Sequence, residues 1–284
     1  MFMLTWPDVL TAYHGAFLED SYFLNCHSNV KFSASLGNHA NTVQSTFGLN
    51  SLQIFYPNMT AKSNRVLKSF AGNYNYFKNH IQFGFGVAYG ERAPSVTEAY
   101  GFYLFNSFEN YDNIGNPNLK NESSFEGNFF FEFKKEKIAL QLNSSYFHIA
   151  NYIVGKPNPA LVPMTIGATG VKIYSALDYA TIFNVSLQTE YKFSKYVKSN
   201  MQLVYSRGKD FMNINLPFIS PIRYSTSILY TKNRFSSELS IQGNTKQVHF
   251  GAIYGEDKTP DYALLHANVG YKFTMPQAKV ILKF

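Results

Sequence analysis

Tyr89-Gly90-Glu91-Arg92-Ala93-Pro94-Ser95-Val96-Thr97-Glu98-Ala99-Tyr100, followed by Gly115-Asn116-Pro117-Asn118-Leu119-Lys120-Asn121-Glu122, is the stretch around which this chain is organised. Before it, Ile81-Gln82-Phe83-Gly84-Phe85-Gly86-Val87-Ala88-Tyr89 alternates apolar with small or polar residues. After it, Ser124-Phe125-Glu126-Gly127-Asn128-Phe129-Phe130-Phe131-Glu132-Phe133 alternates again. Period-2 alternation marks a strand with two unlike faces. Two strands are therefore joined by a connection spanning 91–121, far longer than a hairpin loop of about 2–5 residues. Its Arg92-Ala93-Pro94 and Gly115-Asn116-Pro117 elements read as ordered, because Pro and Gly define turns.

The same alternation recurs along the chain. In 183–193, Phe183, Val185, Leu187, Thr189, Tyr191 and Phe193 share one face, and Asn184, Ser186, Gln188, Glu190 and Lys192 the other. In 262–273, Ala263, Leu265, Ala267, Val269, Tyr271 and Phe273 oppose His266, Asn268, Gly270 and Lys272. Ile138, Leu140, Leu142 and Tyr146 likewise oppose Gln141, Asn143 and Ser145. Reading every such run predicts about twelve strands, at 11–24, 29–37, 64–73, 80–90, 122–133, 138–152, 174–193, 199–208, 221–231, 235–245, 261–273 and 278–284. Short polar connections (25–28, 74–79, 134–137, 194–198, 232–234, 274–277) alternate with long ones (38–63, 91–121, 153–173, 209–220, 246–260). Transmembrane β-barrels sort their loops in this way, with short turns at one end and long loops at the other. A soluble sandwich has no reason to do so. Most predicted strands reach about ten residues, the length a tilted membrane strand needs. Aromatics sit near strand ends (Tyr89, Phe133, Tyr191, Phe193, Tyr230, Tyr271, Phe273, Phe284), where a membrane interface places them. The expected fold is all-β, an antiparallel transmembrane barrel with its apolar face toward lipid and its amide, hydroxyl and charged face toward a wet interior.

Composition agrees. The 284 residues include 21 Tyr and 27 Phe, and only 15% are charged, against roughly a quarter in soluble domains. No apolar run reaches the roughly 18 residues of a membrane helix. The formal net charge is +7, but the basic residues are scattered or sit at predicted turns (Lys134, Lys135, Lys137; Lys195, Lys198; Lys232, Arg234). Nucleic-acid binding needs clustering, so that partner is not expected. Cys26 is the single cysteine, which excludes an internal disulfide and a CxxC metal site. Met1-Phe2-Met3-Leu4-Thr5-Trp6-Pro7-Asp8-Val9 shows no basic segment leading into an apolar one, so it does not read as a secretory signal.

Arg92-Ala93-Pro94-Ser95-Val96-Thr97-Glu98 followed by Gly115-Asn116-Pro117-Asn118-Leu119-Lys120-Asn121-Glu122 resembles the paired motif of TonB-dependent outer-membrane receptors. Gly15-Ala16-Phe17-Leu18-Glu19-Asp20 is similar to that family's Gly-x-Phe-x-Gln-Asp strand, and Tyr262–Phe273, after Thr259-Pro260-Asp261, to a late strand of its barrel. The resemblance implies a 22-stranded barrel with an N-terminal plug, a TonB box and a signal peptide. This chain is expected to be the C-terminal part of such a barrel, without the other three elements and without the family's closing hairpin, and to be inactive alone. The implied function is active uptake of a scarce nutrient across the outer membrane of a Gram-negative bacterium: a ferric siderophore, cobalamin, haem or a copper complex. The implied partners are outer-membrane lipid, the ligand, and the TonB–ExbB–ExbD complex acting through the plug. No cofactor is expected.

Arg92, Pro94, Glu98, Gly115, Asn116, Pro117 and Glu122 are expected to be structural: Arg92 and Glu98 as a rim pair, Asn116 and Pro117 as turn formers, Glu122 and Glu126 as lumen-facing strand residues. The long loops are the ligand-facing regions by resemblance. Tyr103, Phe105, Phe108 and Tyr111 in 91–121 can stack on a planar ligand or pack the loop on itself, with self-packing favoured. Met164, in Pro163-Met164-Thr165-Ile166-Gly167-Ala168-Thr169-Gly170, offers one soft thioether, which suits copper(I). The seven His residues (14, 27, 39, 80, 148, 249, 266) show no HxH or i, i+4 spacing, so no metal site is expected from them. The alternatives are a stand-alone barrel acting as a passive pore, or as a phospholipase- or protease-like enzyme. Ser95, His148 and Asp178 are available for an enzyme, but no Gly-x-Ser-x-Gly frames a nucleophile.

Overall fold

The computed structural model describes residues 5–275 and 278–283. The alternating segments fold as β1 (Val9–Asn25), β2 (Ser28–Val43), β3 (Lys62–Lys78) and β4 (Ile81–Arg92). Next come two short strands, β5 (Leu104–Asn106) and β6 (Tyr111–Ile114), then β7 (Glu122–Lys135) and β8 (Ile138–Ala150). β9 (Ile153–Pro157) and β10 (Gly170–Ala176) are short again. The chain continues with β11 (Tyr179–Lys192), β12 (Val197–Asp210), β13 (Arg223–Lys232), β14 (Phe235–Asn244), β15 (Tyr262–Met275) and β16 (Ala278–Lys283). Helices α1 (Thr46–Gln53) and α2 (Val96–Tyr100) and a 3₁₀ turn at Ala252–Tyr254 lie in the long connections.

Twelve strands form one antiparallel sheet in the order β1-β2-β3-β4-β7-β8-β11-β12-β13-β14-β15-β16. They correspond one to one with the twelve alternating runs. Among the described residues β1 and β16 do not pair with each other, so the sheet is an open part-barrel. It nonetheless curls: one cleft of about 580 Å³ is lined from β3 (Asn73, Asn75) round to β13 (Arg223). The cross-strand register assigns the faces. Phe183 lies opposite both Tyr146 and Arg207, and Asn184 opposite Ser145 and Ser206. Asn128, Asn143, Ser145, Asn184, Ser186 and Ser206 line the cleft, with Glu126 among them. The other face exposes Phe70, Phe85, Val87, Phe125, Phe129, Ile228, Leu239, Leu265 and Val269. An exposed apolar belt of this extent needs lipid rather than water against it. At the short-turn end, Tyr191 packs on Phe193 at 4.9 Å between ring centroids and Tyr271 on Phe273 at 4.8 Å, as an interfacial girdle requires. Phe284 lies outside the described residues.

The short turns use left-handed asparagines: Asn79 has φ 55° and Asn233 φ 56°, a conformation Asn tolerates better than most residues. Two expectations need correction. First, 174–193 is not one strand. Leu177 and Asp178 separate β10 from β11, because Leu177 is buried in a cluster with Val154, Ala180, Leu216 and Tyr254 and its N–H bonds Tyr152 O. Second, β2 runs past the predicted 29–37 into the long-loop end through the polar segment 38–43, and β3 runs past the predicted 64–73 toward the short-turn end through 74–78, where Tyr76 lies opposite Ser28.

The buried apolar core lies in the long-loop end rather than in the wall. One cluster joins Val43, Leu52, Met59, Ala99 and Tyr100, and another Tyr103, Ile114 and Val171. Both are built from connections, so the rim is itself a folded unit.

Candidate functional site

The Arg92 guanidinium stands at the mouth of β4 and bridges two carboxylates. Its Nε donates to Glu122 Oε2 at 2.7 Å, and its two terminal nitrogens donate to Glu98 at 2.7 and 3.1 Å. Ser95 caps α2: its side chain accepts from Glu98 N–H while Glu98 Oε2 accepts from Ser95 N–H, a capping box. Burial opposes ionisation of Glu98, but Arg92 and the Ser95 donors outweigh it and hold the carboxyl below its ordinary range. Glu122 Oε1 accepts from Ile153 N–H at 2.6 Å and so carries the network into β9. Pro94 is fully buried beside it.

The second motif element locks against α2. Gly115 N–H bonds Gly101 O at 2.7 Å, and Asn116 N–H bonds Glu98 O at 2.8 Å. A Cβ at Gly115 would meet Tyr100 N at 2.6 Å and Ala99 C at 2.7 Å, so only glycine permits this approach. Asn116 closes a turn by accepting from Asn118 N–H, and its amide reaches Tyr174 O. Pro117 O and Asn121 accept from Arg65 on β3. The paired motif thus ties β3, β4, β7, β9 and β10 together at the rim.

Above this clamp the loops form a second sheet, β5-β6-β10-β9, in which β6 and β10 run parallel. Lys172 on β10 is 1% exposed; its Nζ lies 2.7 Å from Glu109 Oε1 and 4.5 Å from the Tyr111 ring centroid. Asp112 is fully buried, and its Oδ2 accepts from the N–H groups of Met164 and Thr165. Asp210, at the end of β12, accepts from Tyr254 Oη at 2.6 Å and from the N–H groups of Met212 and Ile214. Burial, then Asp210, pushes the Tyr254 hydroxyl well above its usual range.

These ordered loops enclose a cavity of about 710 Å³ between 108–110, 218–223 and 244–262. Phe108 and Phe218 face each other at 6.2 Å, and Tyr262 lines the cavity as well. Two of its carboxylates are engaged: Glu109 by Lys172, and Glu256 by the N–H groups of Phe218 and Gly251 and by Gln247. Arg223, Asp257 and Lys258 have no ion-pair partner among the described residues. Arg223 also lines two clefts of the inner wall, so the cavity opens directly into the polar lumen.

The aromatic residues of 91–121 divide. Phe108 is 83% exposed and lines the cavity. Tyr103 is buried against Phe102 and Phe55, Tyr111 lies under Lys172, and Phe105 is half-buried in β5. Met164 is exposed, its N–H held by Asp112. Ser95, His148 and Asp178 are not brought together: Ser95 caps α2, and His148 stacks on Tyr179 on the outward face. Among the described residues no group of three or more His, Cys, Asp or Glu side chains is arranged to hold a metal ion. Phe218, Arg223, Gln247, Lys258 and Tyr262 were not singled out by sequence. The loops that carry Phe218, Gln247 and Lys258 were recognisable by length, but which side chains converge depends on how those loops fold.

Comparison with known proteins adds a family. The family model for the TonB dependent receptor-like β-barrel matches residues 5–282. Among solved structures, the copper transporter OprC is similar with a TM-score of 0.77 at 16% identity, over 94% of this chain and 40% of that one. The ferric yersiniabactin uptake receptor FyuA from Yersinia pestis gives 0.59 at 11% identity, over 97% and 44%. The siderophore receptor PirA from Pseudomonas aeruginosa gives 0.54 at 12%, over 93% and 52%. The chain therefore spans about half or less of the length of these structures. No curated protein sequence matches it.

Proposed function

Because this chain belongs to the TonB-dependent receptor-like β-barrel family, we propose that it is the ligand-recognising half of an outer-membrane receptor for active nutrient uptake in a Gram-negative bacterium. The cargo is a ferric siderophore, cobalamin or another metal complex. The observation that carries this reading is the rim cavity. It is large enough for a chelate-sized molecule, offers the faces of Phe108 and Phe218 with Arg223 and Lys258, which have no ion-pair partner among the described residues, and leads toward a lumen lined with amides and hydroxyls. A planar, aromatic or anionic chelate matches both features. Transport would draw on the TonB–ExbB–ExbD complex acting through a plug. The open twelve-stranded sheet supports the expectation that the chain does not transport by itself.

The test has two arms. The 284-residue chain, supplied with an export signal, is expressed in a Gram-negative host deleted for its own receptors. Binding and energy-dependent uptake of labelled ferric siderophores, cobalamin and copper are then measured. Binding without energised uptake is expected. Energised uptake by this chain alone would overturn the half-receptor reading, and failure to bind any of these ligands would overturn the receptor reading.

A further inference from the structure

Charge is divided unevenly between the two ends of the wall. The five long connections together hold eight Lys or Arg against seven Asp or Glu, whereas the short connections hold eight against one, Glu136. The short-turn end therefore carries the positive charge of this protein. Hydrogen bonds between successive turns fix where that charge sits. His80 O accepts from Lys134 N–H, Lys137 O from Lys192 N–H, Tyr196 O from Thr231 N–H and Arg234 O from Lys272 N–H. Each of these turns is thus bonded to the first strand of the next hairpin.

The basic side chains cover every aspect of this end. Lys78, Lys135 and Lys232 continue the outward faces of Phe70, Phe129 and Ile228. Lys134 faces the lumen, where it lines a cleft with Gln188 and Glu190. Lys137, Lys195 and Arg234 stand at the turns themselves, and all three are exposed. Lys195 and Lys232, from neighbouring turns, both lie over the Tyr196 ring, 4.9 and 5.5 Å from its centroid. Two ammonium groups gathered on one ring repel each other unless an anion meets them. Among the described residues none of Lys135, Lys137, Lys195, Lys232 and Arg234 pairs with a carboxylate.

We infer that the short-turn end is a docking face for a flat, carboxylate-bearing polymer, the chemistry of the peptidoglycan sheet beneath an outer membrane. This goes beyond the uptake reading and uses only its placement of the chain in an outer membrane, with short turns on the periplasmic side. Lipid headgroups encircle a barrel and meet only its outward cations. The cations at the turn tips and on the lumen side need an anion that passes across the end of the wall. Lysines spread singly over several turns act as separate point charges. They suit many weak contacts with a repeating anion better than one tight pocket.

The experiment uses the full chain folded in detergent and sedimented with purified peptidoglycan sacculi. One parallel arm uses sacculi whose carboxylates are converted to amides, and another adds phosphatidylglycerol bicelles as competitor. Heat-modifiable gel migration checks the fold of each variant. Intact sacculi are expected to retain the chain about tenfold or more over amidated ones, with retention falling at high salt. An exposed charge pair is worth up to about fivefold. Lys137→Gln, Lys195→Gln and Arg234→Gln together should therefore weaken retention on the order of tenfold, while Lys137→Arg, Lys195→Arg and Arg234→Lys together keep most of it. Lys62→Gln, Lys120→Gln and Lys246→Gln, which remove the same charge from the long-loop end, should change nothing. Equal retention by amidated sacculi, salt-insensitive retention, or equal loss in the long-loop control would overturn the docking face. Release of the chain from sacculi by an equal charge of phosphatidylglycerol would overturn the polymer as its occupant.

Discussion

Lys172 Nζ lies 2.7 Å from Glu109 Oε1, with the lysine side chain 2% exposed and the glutamate 10%. The pair joins β10 to the connection between β5 and β6, so two long loops separated by 63 residues in sequence share one buried charge contact. Gly155 and Gly255 close over the lysine stem: a Cβ at either would sit 3.4 or 3.1 Å from it. The loops that frame the cavity are therefore held by interior chemistry, unlike mobile surface loops.

Lys172→Met leaves the largely buried Glu109 side chain without its cation, with the Asn106 amide still donating to it. Removing one partner of such a pair costs about 3–5 kcal/mol. We expect faster protease cleavage within 104–114 and a lower thermal midpoint. Lys172→Met combined with Glu109→Gln should recover part of the loss, giving a clear coupling energy in a double-mutant cycle.

Glu98 carries a pH dependence of known sign. Its folded-state pKa lies below its unfolded value, held there by Arg92 and the Ser95 donors against the opposing effect of burial. Its contribution to stability is thus fully present above the unfolded value of about 4.3, and is lost as pH falls through the folded pKa. Amide exchange in 95–101 should accelerate as the medium is acidified below that value. Glu98→Gln should flatten this response, and an unchanged profile in that variant would count against the assignment.

Arg92 is not replaceable by lysine. Its fork serves Glu98 and Glu122 at once, and a single ammonium cannot hold both geometries. Arg92→Lys should cost about 1–2 kcal/mol of rim stability, seen as increased exchange of the Ile153 N–H that Glu122 receives.

Gly115→Ala forces backbone apart, because its Cβ would meet three main-chain atoms of 99–101 at 2.6–2.7 Å. Overpacking of this kind costs about 1–3 kcal/mol. Greater proteolytic sensitivity of 96–118, with the strand signal in far-ultraviolet circular dichroism unchanged, is the expected result.

In the rim cavity proposed to take the ligand, Arg223→Gln should weaken an anionic chelate by about tenfold or more, the value of one charged hydrogen bond. Phe108→Ala should cost a few-fold, the value of one aromatic contact. Titration calorimetry with the ligand found in the binding survey separates the two, since only the Arg223 variant should lose the salt dependence of binding.

Alternation alone determined the wall. A two-residue period is a local property: each side chain's face follows from its neighbour's, so twelve strands, their two faces and the sorting of short and long connections are written in the residues between Val9 and Lys283. The family could likewise be read from Arg92–Glu98 with Gly115–Glu122, because the clamp needs those residue types at that spacing. The rim was not legible. Leu177 breaks a run whose alternation continues across it, and only its burial against residues up to 77 positions away reveals the break. The β6–β10 pairing, the Lys172–Glu109 pair and the meeting of Phe108 with Phe218 and Arg223 bring together residues 59 to 115 positions apart in the chain. Non-local contacts carry no periodic signal. Only the packing of the loops on one another decided which of their side chains became interior and which were left facing the cavity.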